Sequence, residues 1–368
     1  MAYISHIGTA ELRGIPPLRI SLTPAPGKAF RHLVLTGPNG TGKTSLVGAI
    51  AAQIFADVFV GGSVTTKGIR TYALQSVQED LGSSLELGGD DRRKMVRELP
   101  FGHVTLEWEP PLDESGHETR RRGTFAYLPA RRGIEMHAVS TISAEDDVRR
   151  KSAFEAETPQ FLQFLVNRKA QQSFARDDGD DVTAMQLEQW FGNLDASLAR
   201  LFDEDGLHLE FERKTLTFYL VSGAQRTSLL ELAHGHAAAL GILAEVIMRV
   251  DREMDGQRTP DQGIVLIDEP EMHLHLELQE RILPALVEMF PRIQLIVATH
   301  SPAVVSSIDD AIVFDLEERR PRSSEDLRGR PYGWIMKRQF GLEEDSARWT
   351  DPLGSWAESP RGPAEPSD

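Results

Sequence analysis

Gly37-Pro38-Asn39-Gly40-Thr41-Gly42-Lys43-Thr44 is the stretch on which the reading of this chain turns. Its glycines let the backbone curl until successive N–H groups converge on one spot, a concavity suited to phosphate oxygens. Just upstream, His32 to Thr36 is a short apolar run of the kind a buried strand carries. Just downstream, from Lys43 to Val58, Leu46, Val47, Ile50, Ala51 and Ile54 recur at helical spacing. Strand, glycine loop and helix in that order add the positive end of a helix dipole to the amide cradle. In such a loop Lys43 reaches the β- and γ-phosphates and the Thr44 hydroxyl ligates Mg²⁺. Gly37, Pro38, Asn39, Gly40, Thr41, Gly42, Lys43, Thr44 and Ser45 are the expected nucleotide-binding residues, with ATP and Mg²⁺ as the expected ligands. A glycine-rich turn that binds nothing is the bland alternative, and the strand and helix on either side speak against it.

Working outward, two further segments have the composition to meet that loop. Gly263-Ile264-Val265-Leu266-Ile267-Asp268-Glu269-Pro270 is an apolar run ending in two acids. Placed on a buried strand next to the phosphate-loop strand, it would deliver both acids to the nucleotide. Asp268 would hold the metal, usually through water, and Glu269 would act as general base on the attacking water. Adjacent carboxylates are costly unless a cation shares their site; solvated acids at a strand end are the alternative. Gln294-Leu295-Ile296-Val297-Ala298-Thr299-His300-Ser301-Pro302 is another buried strand with a polar end. His300 would reach the γ-phosphate or hydrogen-bond Glu269, since an imidazole donates and reorients readily. Ser301-Pro302 reads as N-cap and first residue of a helix.

The remaining elements follow from pattern. Leu12 to Leu22 reads as an edge strand broken by Pro16 and Pro17. Val104–Trp108 and Thr124–Leu128 read as strands joined in a long hairpin through the polar stretch 109–123. Residues 145–205 read as helical, interrupted by an acidic loop from Asp177 to Asp181. Leu207–Phe211 and Thr215–Val221 read as a second hairpin. Gly235–Val250 and Leu276–Phe290 read as helices, and Ala311–Leu316 as a last buried strand. Strands alternating with helices imply an α/β fold with a mainly parallel sheet. After Glu317 the chain reads as charged loop, with a disordered tail from Asp351. The expected division is 1–58 for a β layer and the phosphate-loop part of the core, 59–225 for an inserted hairpin and helical lobe, and 226–318 for the second half of the core. A C-terminal extension over 319–350 and a tail over 351–368 complete it.

Composition narrows the function. The formal charge is −16, so a protein that simply coats nucleic acid is disfavoured, although a local basic groove is compatible with any net charge. Arg120, Arg121, Arg122, Arg131 and Arg132 are the candidates for one; the alternative is a solvated hairpin with its salt bridges. There is no cysteine, which removes disulfides, thiolate zinc sites and cysteine nucleophiles. No apolar run is long enough to span a membrane and no secretory leader is visible, so a cytoplasmic protein with no membrane partner is expected.

Taken as a set, Gly37–Thr44, Ile267-Asp268-Glu269-Pro270-Glu271, His273-Leu274-His275 and Ala298-Thr299-His300-Ser301-Pro302 resemble the ABC-like AAA ATPases. These are relatives of OLD, RecF and SMC-type enzymes, many from bacterial anti-phage systems. The segment from Glu157 to Asp178 resembles the helical insert of that group. The resemblance implies a P-loop NTPase with an ABC-type head: a RecA-like core, an antiparallel β layer and a helical lobe. It also implies an ATP-sandwich homodimer or higher oligomer, with Gly235 of each signature loop facing the partner's nucleotide. The signature region departs from the family's Leu-Ser-x-Gly, reading Leu232-Ala233-His234-Gly235-His236, so the serine hydroxyl is missing and His234 or His236 is the candidate replacement donor. No glutamine marks the Q-loop; Arg131, after Tyr127-Leu128-Pro129-Ala130, is the candidate substitute. His273 and His275 are read as a dimer-contact loop rather than metal ligands, and Trp190 and Phe191 as core. No nuclease signature is left over, so a separately encoded effector, a nuclease or toxin, is the expected partner, in anti-phage defence or DNA maintenance. An ATP-holding scaffold with little turnover and an ABC transporter subunit are the competing readings.

Overall fold

The computed structural model describes residues 3–10, 12, 14–55, 104–109, 124–130, 136–142, 158–252 and 262–335. In chain order the elements are β1 (Tyr3–Thr9), β2 (Leu18–Ser21), β3 (His32–Thr36), α1 (Lys43–Phe55), β4 (Val104–Glu109) and β5 (Thr124–Leu128). A helical pair, α2 (Phe161–Asp177) and α3 (Asp181–Phe202), precedes β6 (His208–Glu212), β7 (Thr217–Ser222) and β8 (Gln225–Ser228). The second half carries α4 (His234–Arg252), β9 (Gln262–Asp268), α5 (Leu276–Met289), β10 (Arg292–Ala298), α6 (Pro302–Val305), β11 (Ala311–Asp315) and β12 (Arg320–Ser323).

The centre is a six-stranded sheet in the order β12-β11-β3-β10-β9-β5. All its pairings are parallel except β11 with β12. Both faces are covered, which explains why β3, β9 and β10 read as unbroken apolar runs rather than alternating ones. Alternate residues then divide between two cores. Leu33, Leu35, Ile264, Leu266 and Ile296 face one, with Leu46, Val47, Ile50 and Ile54 of α1. Val34, Val265, Ile267, Leu295 and Val297 face the other, under α4, α5 and the helical pair. The α1 residues are at most 1 % exposed, and burying each is worth roughly 1.5–3 kcal/mol. That burial anchors the helix whose first turn carries Lys43 and Thr44.

The α/β core, antiparallel β layer and helical lobe are all present. The layer, β2-β1-β4, packs Ile4, Ile7, Ile20, Val104 and Trp108 onto the α1 side of the core. In the lobe, Phe161, Leu165, Phe191, Leu194 and Leu198 close the interface between α2 and α3. The acidic break between them ends on Asp180, whose carboxylate accepts the Thr183 N–H at 3.1 Å and caps α3. Phe191 stacks on Phe218 at 6.1 Å and Trp190 meets Phe164 edge-on at 5.7 Å, which places both in the packing. The lobe is pinned to α4 by Glu245, which accepts the Thr158 N–H at 2.7 Å and its hydroxyl at 2.8 Å while pairing with Arg249.

Four expectations are corrected. β4 and β5 do not form a hairpin: β4 pairs with β1 in the outer layer, whereas β5 is an edge strand of the central sheet, parallel to β9. The acid-bearing β9 is not next to β3, because β10 lies between them. Between Leu12 and Leu22 only Leu18–Ser21 is strand; Leu12 and Ile15 form an isolated bridge, and the neighbouring strand is Tyr3–Thr9. Beyond Glu317 the chain forms β12, antiparallel to β11. Each is a pairing decision between distant segments, on which local pattern is silent. Arg120–Arg122, Arg131, Arg132 and the segment from Asp351 lie outside the described residues.

Candidate functional site

The register of the central sheet lines up the ends of four strands. Thr36 pairs with Asp315, Leu35 with Ala298, and Ala298 with Asp268. The residues leaving those ends, Gly37, Leu316, Thr299 and Glu269, therefore emerge side by side, on the edge where open α/β sheets bind ligands. Leu128 of β5 pairs with Ile267, which sets Pro129 and Ala130 beside the same row.

The glycine loop is shaped as its sequence requires. Gly37, Gly40 and Gly42 have φ of 135°, 83° and 91°, a region that L side chains rarely enter. At Gly42 a Cβ would also lie 2.6 Å from Ile15 Cδ1 and 2.8 Å from its Cγ1. Gly37 is buried, Pro38 half-buried, and Asn39 and Gly40 exposed at the tip. The Thr41 hydroxyl donates to the Pro38 carbonyl at 2.9 Å and holds the curl. Lys43, only 4 % exposed, donates to the carbonyls of Gly37 at 2.8 Å and Pro38 at 3.0 Å. Burial lowers its pKa, and the fields of Glu269, Asp268, Glu271 and Asp315 oppose that shift. One ammonium therefore stands within the field of all four carboxylates. Thr44 is exposed and its hydroxyl donates to Asp268 Oδ1 at 3.3 Å; Ser45 is half-buried beside it.

Asp268 is fully buried at the end of β9. Glu269 follows with φ of 47°, its N–H donating to the Ala298 carbonyl at 2.8 Å. A non-glycine residue held in that region costs on the order of 1–3 kcal/mol and persists where its surroundings over-determine it. The bend detaches Glu269 from the direction of the strand. His300, half-buried, has its pKa lowered by burial and by Lys43, with Glu269 acting the other way. Both effects favour the neutral ring, which has one ring N–H to give. Ser301 caps α6 as its sequence suggests, accepting from the N–H groups of Ala303 and Val304.

The structure adds two residues to this set. Glu271, which the sequence offers only as part of the family-like motif, accepts the His300 backbone N–H at 2.6 Å. Burial raises its pKa, offset mainly by that same bond. Gln279 of α5 donates to the Leu274 carbonyl at 2.8 Å and accepts the Ser301 hydroxyl at 2.6 Å. Together they tie the loop after β9 to the loop after β10. An acid two residues past a carboxylate pair was visible as a feature; its partner, 29 residues away, was not.

The histidine pair is explained by alternation. Leu274 is 6 % exposed and joins the core, which turns His273 and His275 to the surface. Among the described residues no group of three or more His, Asp or Glu could hold a metal by itself. In the signature region Gly235 is buried; a Cβ there would sit 3.1 Å from His275 Cδ2 and 3.5 Å from the His273 carbonyl. Its lack of a side chain is thus accounted for by packing within the chain. Ala233 and His234 are exposed at the start of α4, and the His236 ring packs on Phe202 at 4.6 Å. Among the described residues no helix is long and apolar enough to cross a membrane.

Several known proteins are similar to this chain. A probable ATPase of retron Ec83 from Escherichia coli is 31% identical over 140 residues, covering 37% of this chain and 26% of the relative. The chain thus spans about a quarter of the length of that relative. A Septu protein PtuA from Bacillus thuringiensis is 22% identical over 333 residues, covering 84% of this chain and 78% of the relative. Among solved structures, the Smc head domain of Pyrococcus furiosus, bound to the C-terminal domain of ScpA, aligns over 89% of this chain and 98% of its own, with a TM-score of 0.43 and 13% identity. The family profile described as "AAA domain, putative AbiEii toxin, Type IV TA system" matches residues 33–306. Since that match runs through most of the chain, from the strand feeding the glycine loop to the short helix capped by Ser301, the chain belongs to this AAA-domain family.

Proposed function

We propose that the chain binds ATP on Gly37–Ser45 and hydrolyses it with Mg²⁺, using Glu269 as general base and His300 as the γ-phosphate contact. The observation that carries this reading is the convergence at one sheet edge: the Thr44 hydroxyl donates to Asp268 Oδ1 at 3.3 Å, and the strand register brings Gly37, Glu269 and Thr299 out side by side. The residues fit the ligands. Positive-φ glycines leave the cradle free of side chains, and a hydroxyl with a buried carboxylate is the hard-oxygen donor set that Mg²⁺ prefers. Thr44 and Asp268 would hold the metal, which when bound neutralises charge developing on the phosphates. Lys43 would exchange its bonds to the Gly37 and Pro38 carbonyls for phosphate oxygens. Glu269 would orient the attacking water and take its proton, and neutral His300 would donate its one N–H without adding charge.

Two copies would close over the nucleotide as a switch, in a dimer or higher oligomer, acting on a separately encoded effector in anti-phage defence or DNA maintenance. The likeness to a probable ATPase of a retron and to a Septu protein PtuA supports this reading by analogy. The exposed signature residues Ala233 and His234 support a second reading, an ATP-holding scaffold with slow turnover, because the serine hydroxyl is absent. Single-turnover hydrolysis with sedimentation separates the two. Glu269→Gln should lower the rate by ~10²–10⁴-fold while raising the dimer fraction in ATP and Mg²⁺, and Lys43→Ala should abolish binding. Equal rates in Glu269→Gln and parent would remove the general base; a mutant that stays monomeric would remove the switch.

A further inference from the structure

Away from the sheet edge, the helical lobe contains a cavity of about 400 Å³ between the second half of α2 and the β6–β7 hairpin. That volume lies in the ~300–1,000 Å³ range of small-molecule sites. Its wall combines Lys169, Arg176 and Arg213 with one carboxylate, Asp177, and with the rings of Phe174 and Phe211. On a chain of net charge −16, three cations against one acid in a single recess is a local inversion of sign, and recesses concentrate such fields. Arg176 is engaged with Glu188 at 2.8 Å. Lys169 rests over the Phe191 ring at 4.5 Å, and Arg213 is exposed at the hairpin. Burial lowers the Lys169 pKa; Arg176 and, more weakly, Arg213 push it the same way, while Asp195 and Glu188 oppose them. Phe174 is 56% exposed at the rim, a large ring left in water beside the charges.

We propose that this cavity binds a phosphorylated nucleoside: the phosphate between Lys169, Arg176 and Arg213, the base against Phe174 and Phe211. Aromatic faces flanked by cations are how proteins hold unpaired nucleotides. An anion would give Lys169 and Arg213 a counter-charge on the cavity wall, where Arg176 already has one in Glu188. The recess suits one nucleotide, either free or at the end of a strand, and it is independent of the phosphate loop.

The test is calorimetric titration of the full chain, with the phosphate loop filled by ADP and Mg²⁺. The probes are AMP, a 5′-phosphorylated oligothymidylate, adenosine and inorganic phosphate. AMP or the oligonucleotide should bind one site per chain, weakening with salt. Arg213→Glu should weaken binding about tenfold or more, the scale of one charge-assisted bond, and Phe174→Ala should weaken it by a similar factor. Both side chains are exposed, so circular dichroism should show folded variants. Tighter AMP binding assigns a free nucleotide; tighter oligonucleotide binding assigns a strand end. No binding by either probe, binding indifferent to Arg213→Glu, or inorganic phosphate binding as tightly as AMP overturns the proposal.

Discussion

Replacing Glu271 tests whether the loop after β9 positions His300. Its carboxylate accepts the His300 backbone N–H at 2.6 Å, and a hydrogen bond to a charged group is worth about 1.5–3 kcal/mol. Glu271→Ala should therefore destabilise the chain by about 2 kcal/mol. At about 2–4 °C per kcal/mol, that lowers the melting temperature by several degrees. Function should suffer more, since a catalytic group displaced by about 1 Å can lose on the order of 10²-fold in rate. The expected pattern is a kcat for ATP hydrolysis reduced ~10–100-fold with KM nearly unchanged, because Lys43 and the glycine loop are untouched. Glu271→Gln keeps an oxygen acceptor and should restore most of kcat.

The pH dependence supplies an independent readout. Burial raises the Glu271 pKa above its ordinary 4.5, so the folded chain holds this proton to higher pH than the unfolded chain does. The contribution of Glu271 to stability then falls as pH rises from about 4.5 through the folded value. Glutamine has no proton to lose, so the stability of the Gln variant relative to the parent should increase over that window. Glu271→Ala with parental melting temperature and parental kcat, or Glu271→Gln as impaired as Ala, would refute the positioning role.

Gly42→Ala should cost about 1–3 kcal/mol and weaken nucleotide binding at least tenfold, because its Cβ meets Ile15 at 2.6 Å with φ at 91°. Ile15→Ala in the same chain should relieve the clash but not the backbone strain, and full rescue in an ATP-binding titration would contradict that division. Arg249→Leu should destabilise by ~3–5 kcal/mol in urea melts, since it strands the buried charge of Glu245. Adding Glu245→Met should recover part of that loss; a single variant within about 1 kcal/mol of the parent would mean the pair does not pin the lobe.

What could be read from the chain alone was whatever is encoded locally. The glycine loop between β3 and α1, the apolar runs of β9 and β10, the cap at Ser301 and the acidic break before α3 each depend on neighbours a few residues apart. Their physics, turn sterics, burial and dipole, acts over that range. Only the tertiary structure decided that β10 lies between β3 and β9, that β4 and β5 part company into different sheets, that Gly235 packs against His275, and that Glu271 and Gln279 brace His300 and Ser301. Those outcomes depend on which distant segments share a sheet or a cavity. Pairing is settled by whole faces competing for burial, and no short stretch of sequence records who its partner will be.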